Sequence, residues 1–118
     1  MAGYGLVQSF FVGTASGAST SSYLDTGGRP FSQMAVHINS MSTGAEVTVY
    51  ASDAKDGTYQ PVKVMEPGTA AAGYNNLVIG TATSGGWAVI PAPPHRYLQF
   101  ITSAVVSGGV SFTVVANG

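Results

Sequence analysis

The chain has 118 residues, enough for one domain and short for two. Only 8% of them are Asp, Glu, Lys or Arg, against roughly 25% in an average soluble domain, and the net charge is −1. Four scattered basic residues (Arg29, Lys55, Lys63, Arg96) make no electrostatic footprint for nucleic acid or anionic lipid, and the lack of cysteine excludes a disulfide framework, a thiolate metal site and a Cys nucleophile.

From the N-terminus, the first basic residue is Arg29, so the charged start of a secretory signal is missing, and no apolar run approaches the length of a bilayer span. The expectation is synthesis in the cytoplasm with no membrane partner. Residues 6–12 form a short apolar run. Residues 13–22, nearly all Gly, Ala, Ser and Thr, read as a flexible connection. Residues 1–22 are therefore expected to be a first strand and its loop, or an arm reaching another subunit, ahead of a sandwich domain over 23–118. Phe10 and Phe11 are adjacent in a strand pattern and must face opposite sides. One enters the core and the other needs a cover, for which a neighbouring subunit is a natural candidate.

Met34, Val36 and Ile38 alternate with smaller or polar residues, which predicts a strand with one buried face. Residues 46–52 alternate in the same way and end at Asp53-Ala-Lys-Asp56-Gly57, where Asp side chains can bond their own backbone and Gly57 can take a positive φ. A strand resumes over 58–64, with Pro61 marking an edge or bulge. Residues 67–73 read as a loop. Residues 77–82 and 87–90 are predicted strands around a Ser84-Gly85-Gly86 turn, and the prolines at 91, 93 and 94 demand extended chain. Strands over 97–106 and 110–116 flank Ser107-Gly108-Gly109, a hairpin signal. Val110, Phe112 and Val114 point one way; Ser111, Thr113 and Val115 point the other. No sustained 3.6-residue stripe exists. About seven or eight strands with frequent turns predict an all-β antiparallel sandwich of jelly-roll type.

The residues that carry enzyme chemistry are scarce. No Gly-x-Ser-x-Gly elbow is present, and only His37, on the outer face of a strand, and His95, in a turn, would serve as bases. Among Asp25, Glu46, Asp53, Asp56 and Glu66 only Asp53 and Asp56 are close in sequence, in a turn whose spacing does not suit calcium. No phosphate loop or zinc-spaced His pair occurs. No enzymatic activity, cofactor, metal or small-molecule ligand is expected. Trp87 reads as a core or interface anchor. Alternatively, Trp87 with Tyr59, Tyr74 and Tyr97 makes a sugar-stacking platform, as in a carbohydrate- or receptor-binding module of a tail or spike. The interface candidates are Tyr4, Leu6, Phe10, Phe11 and Trp87.

The run Leu24-Asp-Thr-Gly-Gly-Arg-Pro-Phe31, the strand to Ile38, then Val47-Thr-Val-Tyr-Ala-Ser-Asp53 and Asp56-Gly-Thr-Tyr-Gln-Pro-Val62, resemble small β-sandwich structural proteins of tailed bacteriophages. Arg96-Tyr-Leu-Gln-Phe100 matches the late strand of that pattern, so the resemblance covers about residues 24–115. The Ser-Asp and Asp-Gly-Thr-Tyr element also resembles the corresponding hairpin of galactose-binding-type sandwiches. The charge-poor, cysteine-free composition is similar to that of head decoration ("cement") proteins. That resemblance implies a place on the outside of an icosahedral head, with the major capsid protein and other copies of the chain as partners, often as a homotrimer, clamping capsid subunits together. It carries over no residue list, because such contacts are surfaces.

Overall fold

A computed structural model describes residues 7–15, 17–29, 31–40, 46–65, 74–81, 87–91, 93, 95–105 and 108–118. Their strands are β1 (Val7–Gly13), β2 (Leu24–Asp25), β3 (Gln33–Ser40), β4 (Glu46–Ser52), β5 (Gln60–Pro61), β6 (Lys63–Met65), β7 (Tyr74–Asn76), β8 (Val78–Thr81), β9 (Ala88–Pro91), β10 (Tyr97–Thr102) and β11 (Ser111–Asn117). A first sheet has the order β1-β11-β3-β9 and a second the order β2-β10-β4, with β5 and β8 sharing the far edge of β4. β6 and β7 form a separate two-stranded antiparallel sheet. Every pairing is antiparallel.

Setting aside the insertion β5 to β7, two sheets of four remain, β1-β11-β3-β9 and β2-β10-β4-β8. Successive strands cross from one sheet to the other at every step except β4 to β8. That alternation is the jelly-roll wrapping, and the all-β sandwich expected from the sequence is the fold.

Alternation of side chains explains why these segments pair face to face. Leu98, Phe100 and Thr102 of β10 and Phe112, Val114 and Ala116 of β11 are buried, while the residues between them are half-buried or exposed. Val47, Val49 and Ala51 of β4 and Met34, Val36 and Ile38 of β3 complete the inner layer. Each large apolar side chain so enclosed contributes about 1.5–3 kcal/mol. The hairpin expected around 107–109 is not formed: β10 ends at Thr102 and pairs with β2 and β4, whereas β11 pairs with β1 and β3. Gly108 and Gly109, with φ of 83° and 79° in the left-handed region that costs other residues most, lie on the connection from one sheet to the other.

Three further local expectations need correction. Residues 13–22 are not a slack connection. Thr14 bridges Ser21, Thr20 bridges Ile101, and the Thr102 N–H donates to Ser19 O at 2.8 Å, so short polar side chains and free backbone knit this stretch to the sandwich. Gly57 has no positive φ; a Cβ there would lie 2.8 Å from Ser52 Oγ, so its small size permits a close approach. The single strand expected over 58–64 is broken at Val62, whose N–H turns to Val49 O at 2.9 Å and divides β5 from β6. The expected loop over 67–73 and the turn at 84–86 lie outside the described residues. β1 pairs with β11 over all seven residues, Val7 to Asn117 through Gly13 to Ser111, and so is the edge strand of the first sheet.

Candidate interaction surfaces

The first sheet turns a face without ionised carboxylate, ammonium or guanidinium groups toward solvent. The register builds it in three rows. Phe11 lies beside Thr113, Thr113 beside His37, and the His37 ring packs on Trp87 with centroids 5.2 Å apart. Ser9, Val115, Ala35 and Val89 form the next row, and Val7, Asn117, Gln33 and Pro91 the third. Phe11 is 76% exposed, Val7 69%, Val89 65% and Trp87 51%. The exposed large apolar side chains stand on the two edges, Phe11 and Val7 on β1 and Trp87 and Val89 at β9, with Thr113, His37, Ser9, Asn117 and Gln33 among them, which makes this face a candidate contact surface. At one end of the face a polar network holds the rows: His37 Nδ1–H donates to Asn39 Oδ1 (2.8 Å), Thr113 Oγ1 donates to the same oxygen (3.1 Å), and Asn39 Nδ2 donates to Ser111 Oγ (3.2 Å).

The five interface candidates separate here. Phe10 points inward, packs against the core and meets Phe31 edge-on, 6.2 Å between centroids. Phe11 and Trp87 share the outer face, near its opposite edges. Tyr4 and Leu6 lie outside the described residues. Val7, Val89 and Val115 belong to the same surface and were not singled out from the sequence, although the period-2 pattern that exposes Phe11 also exposes Val7.

The charges gather elsewhere. Asp25 receives a two-pronged contact from Arg96, Nε to Oδ1 at 2.8 Å and Nη2 to Oδ2 at 3.1 Å, and accepts the Gly27 N–H at 2.8 Å. The Arg96 guanidinium and that backbone N–H hold the Asp25 carboxyl below its ordinary value. Arg96 also lies over the Tyr97 ring (5.1 Å), Tyr97 meets Tyr23 edge-on (5.7 Å), and Lys55 sits over Tyr23 (5.7 Å). Tyr59 joins this group; burial, then the neighbouring Tyr23 and Tyr97 and the carboxylates of Asp56 and Asp25, raise its phenol above the ordinary value. These tyrosines are on the outside of the second sheet, whereas Trp87 is on the outside of the first. Trp87 therefore shares no platform with Tyr59 and Tyr97, and the side chain of Tyr74 is outside the described residues.

The turn after β4 holds a second side-chain pair, His95 Nδ1–H donating to Asp53 Oδ1 at 2.9 Å. Asp53 does not close its own turn as expected. Ser52 does, its Oγ accepting from Ala54 N–H (3.2 Å) and donating to Ala54 O (2.8 Å), which leaves the Asp53 carboxylate for His95. Two open grooves of about 340 Å³ each run past this pair and share Pro61, Val62 and His95. Ser52 is committed to the turn rather than to His95. Among the described residues no three His, Cys, Asp or Glu side chains converge in a metal-binding group.

No family model and no curated protein matches this sequence. Among solved structures the fold is similar to that of the SPBc2 prophage-derived protein YomS, with a TM-score of 0.63 and 17% identity, over 100% of this chain and 98% of that one. At that identity the likeness is one of fold.

Proposed function

We propose that the chain is a structural virion protein of a tailed phage, decorating the outside of the head and working by adhesion to the major capsid subunits and to its own copies. The observation that carries this reading is the outer face of the first sheet, where Phe11, Trp87, Val89 and Val7 stand exposed without a charged neighbour in the three rows. The sharing of its fold with a prophage-derived protein supports the phage setting. Three rows across four strands, about five residues deep, span about 320 Å². That is under half of the ~800 Å² per partner of a standard interface, so a single copy binds weakly by this face and many linked copies bind by avidity.

The test is co-sedimentation with phage heads assembled without this chain. The wild type is expected to pellet with the heads. Val89→Lys and Trp87→Ser, placed on the exposed face, are expected to stay in the supernatant while keeping the wild-type circular dichroism. Asp56→Ala, on the turn after β4, is expected to bind normally. Equal binding by Val89→Lys and the wild type would overturn the reading.

A further inference from the structure

The edge of the first sheet is built for a partner strand. Thr14 N–H donates to Val110 O at 2.8 Å, so Thr14 and every second residue before it, Val12, Phe10 and Gln8, direct their main-chain groups toward β11. Gly13, Phe11, Ser9 and Val7 direct theirs to the other side. The Gly13 carbonyl confirms this parity, since it accepts the Ser22 N–H there at 3.0 Å. Beyond Gly13, no other strand pairs with that side of β1 among the described residues. Edge strands are ordinarily blunted by lysine, proline, a bulge or shortness. β1, Val-Gln-Ser-Phe-Phe-Val-Gly, has seven residues in unbroken register and none of those devices.

We propose that β1 pairs antiparallel with β1 of a second copy about a two-fold axis at Ser9, making one continuous sheet across a homodimer. The register follows from the chain. Among the described residues of this edge, Val7, Ser9 and Phe11 have both main-chain groups open, and centring on Ser9 is the arrangement that uses all three. Moving the axis toward Gly13 would bring in a carbonyl already bonded to Ser22. With the axis at Ser9, Phe11 lies beside Val7 of the second copy and Val7 beside its Phe11. These are the two most exposed large apolar side chains among the described residues. An isologous contact of this kind closes at two copies, in place of the trimer that the resemblance to cement proteins implies. The pairing leaves the rest of the uncharged face open and doubles it. It does not depend on the head-surface reading: a dimer that never bound a head would still satisfy it.

Sedimentation equilibrium and light scattering on the full chain test the proposal. The wild type is expected at twice the 12.0 kDa chain mass. Ser9→Pro removes an N–H that faces away from β11, so it is expected to halve the mass with unchanged circular dichroism. The chain has no cysteine, so Ser9→Cys provides a second reading that needs no loss of stability. Hydrogen-bonded pairs bring Cα atoms to about 5.5 Å, within disulfide range, and this variant is expected to cross-link fully on mild oxidation. Val115→Cys, one strand further in, would sit about 14 Å from its counterpart and is expected not to cross-link. A wild type that stays a single chain up to its solubility limit, a trimer, or a Ser9→Cys protein that does not cross-link would each overturn the pairing.

Discussion

Phe100 of β10 and Phe112 of β11 stack across the two sheets, ring centroids 5.0 Å apart and planes inclined by 29°, both fully buried. Consecutive long strands thus bind the sandwich through one aromatic pair at its centre. Phe100→Ala and Phe112→Ala are each expected to lower unfolding free energy by about 3–5 kcal/mol. A double-mutant cycle in urea should return a coupling of about 0.5–1.5 kcal/mol. Strict additivity would show that the two rings contribute only through the area each buries.

Two hydroxyls close the gaps where residues 13–22 run along the core. Ser21 Oγ accepts the buried Phe100 N–H at 2.9 Å, and Thr14 Oγ1 accepts the buried Val110 N–H at 2.8 Å. Ser21→Ala and Thr14→Val each strand a buried N–H and should cost about 1–3 kcal/mol. Denaturant midpoints measure the loss, and amide exchange at Phe100 and Val110 should accelerate with it.

The paired glycines on the connection from β10 to β11 separate two costs. Gly108 has φ of 83° and open space around its missing Cβ, so Gly108→Ala should lose only the left-handed penalty, about 1–2 kcal/mol. Gly109 has φ of 79° and its Cβ would also collide with the Thr14 carbonyl oxygen. Gly109→Ala should therefore unfold at a clearly lower temperature than Gly108→Ala. Equal midpoints would mean that the segment carrying Thr14 moves aside freely.

Much of this architecture was legible because period-2 alternation is strong in β3, β4, β10 and β11; Gly108-Gly109 marked a turn, but one that carries the chain between sheets rather than closing a hairpin. The strand over 46–52 was read to its ends, and Pro61 correctly marked a sheet edge. The two-residue β2 escaped because it is too short to show a period, and β7 because Tyr-Asn-Asn has no alternation. Residues 13–22 misled because Ser and Thr were read as solvated linker, when their hydroxyls replace missing ladder partners. At the surface, the alternation of Phe10 and Phe11 was readable, and the structure turns one inward and one outward. The pairs Asp25–Arg96 and Asp53–His95, 71 and 42 residues apart, were not, since only the folded topology brings their strands together.

Ionisation gives a further handle on the second sheet. The Asp25 carboxyl is held below its ordinary value of 3.8 by Arg96 and the Gly27 N–H. A carboxylate depressed by folding adds stability above its unfolded pKa and loses it as the pH falls through the folded one. The destabilisation caused by Asp25→Asn should thus be constant well above pH 3.8 and fade as the pH drops below it. Both groups are solvent-exposed, so the difference should be small and shrink further in high salt. Thermal midpoints of the two proteins against pH measure it, and a gap that widened in acid would exclude this pair as its source.

The central claim is that the uncharged outer face of the first sheet exists to be covered. Cryo-electron microscopy of virions carrying this chain tests it most directly. The account predicts density for the jelly roll on the outer head surface, with Trp87 and Val89 buried against a capsid subunit. A jelly roll absent from the head, or one seated there with Trp87 and Val89 turned to solvent, would contradict it.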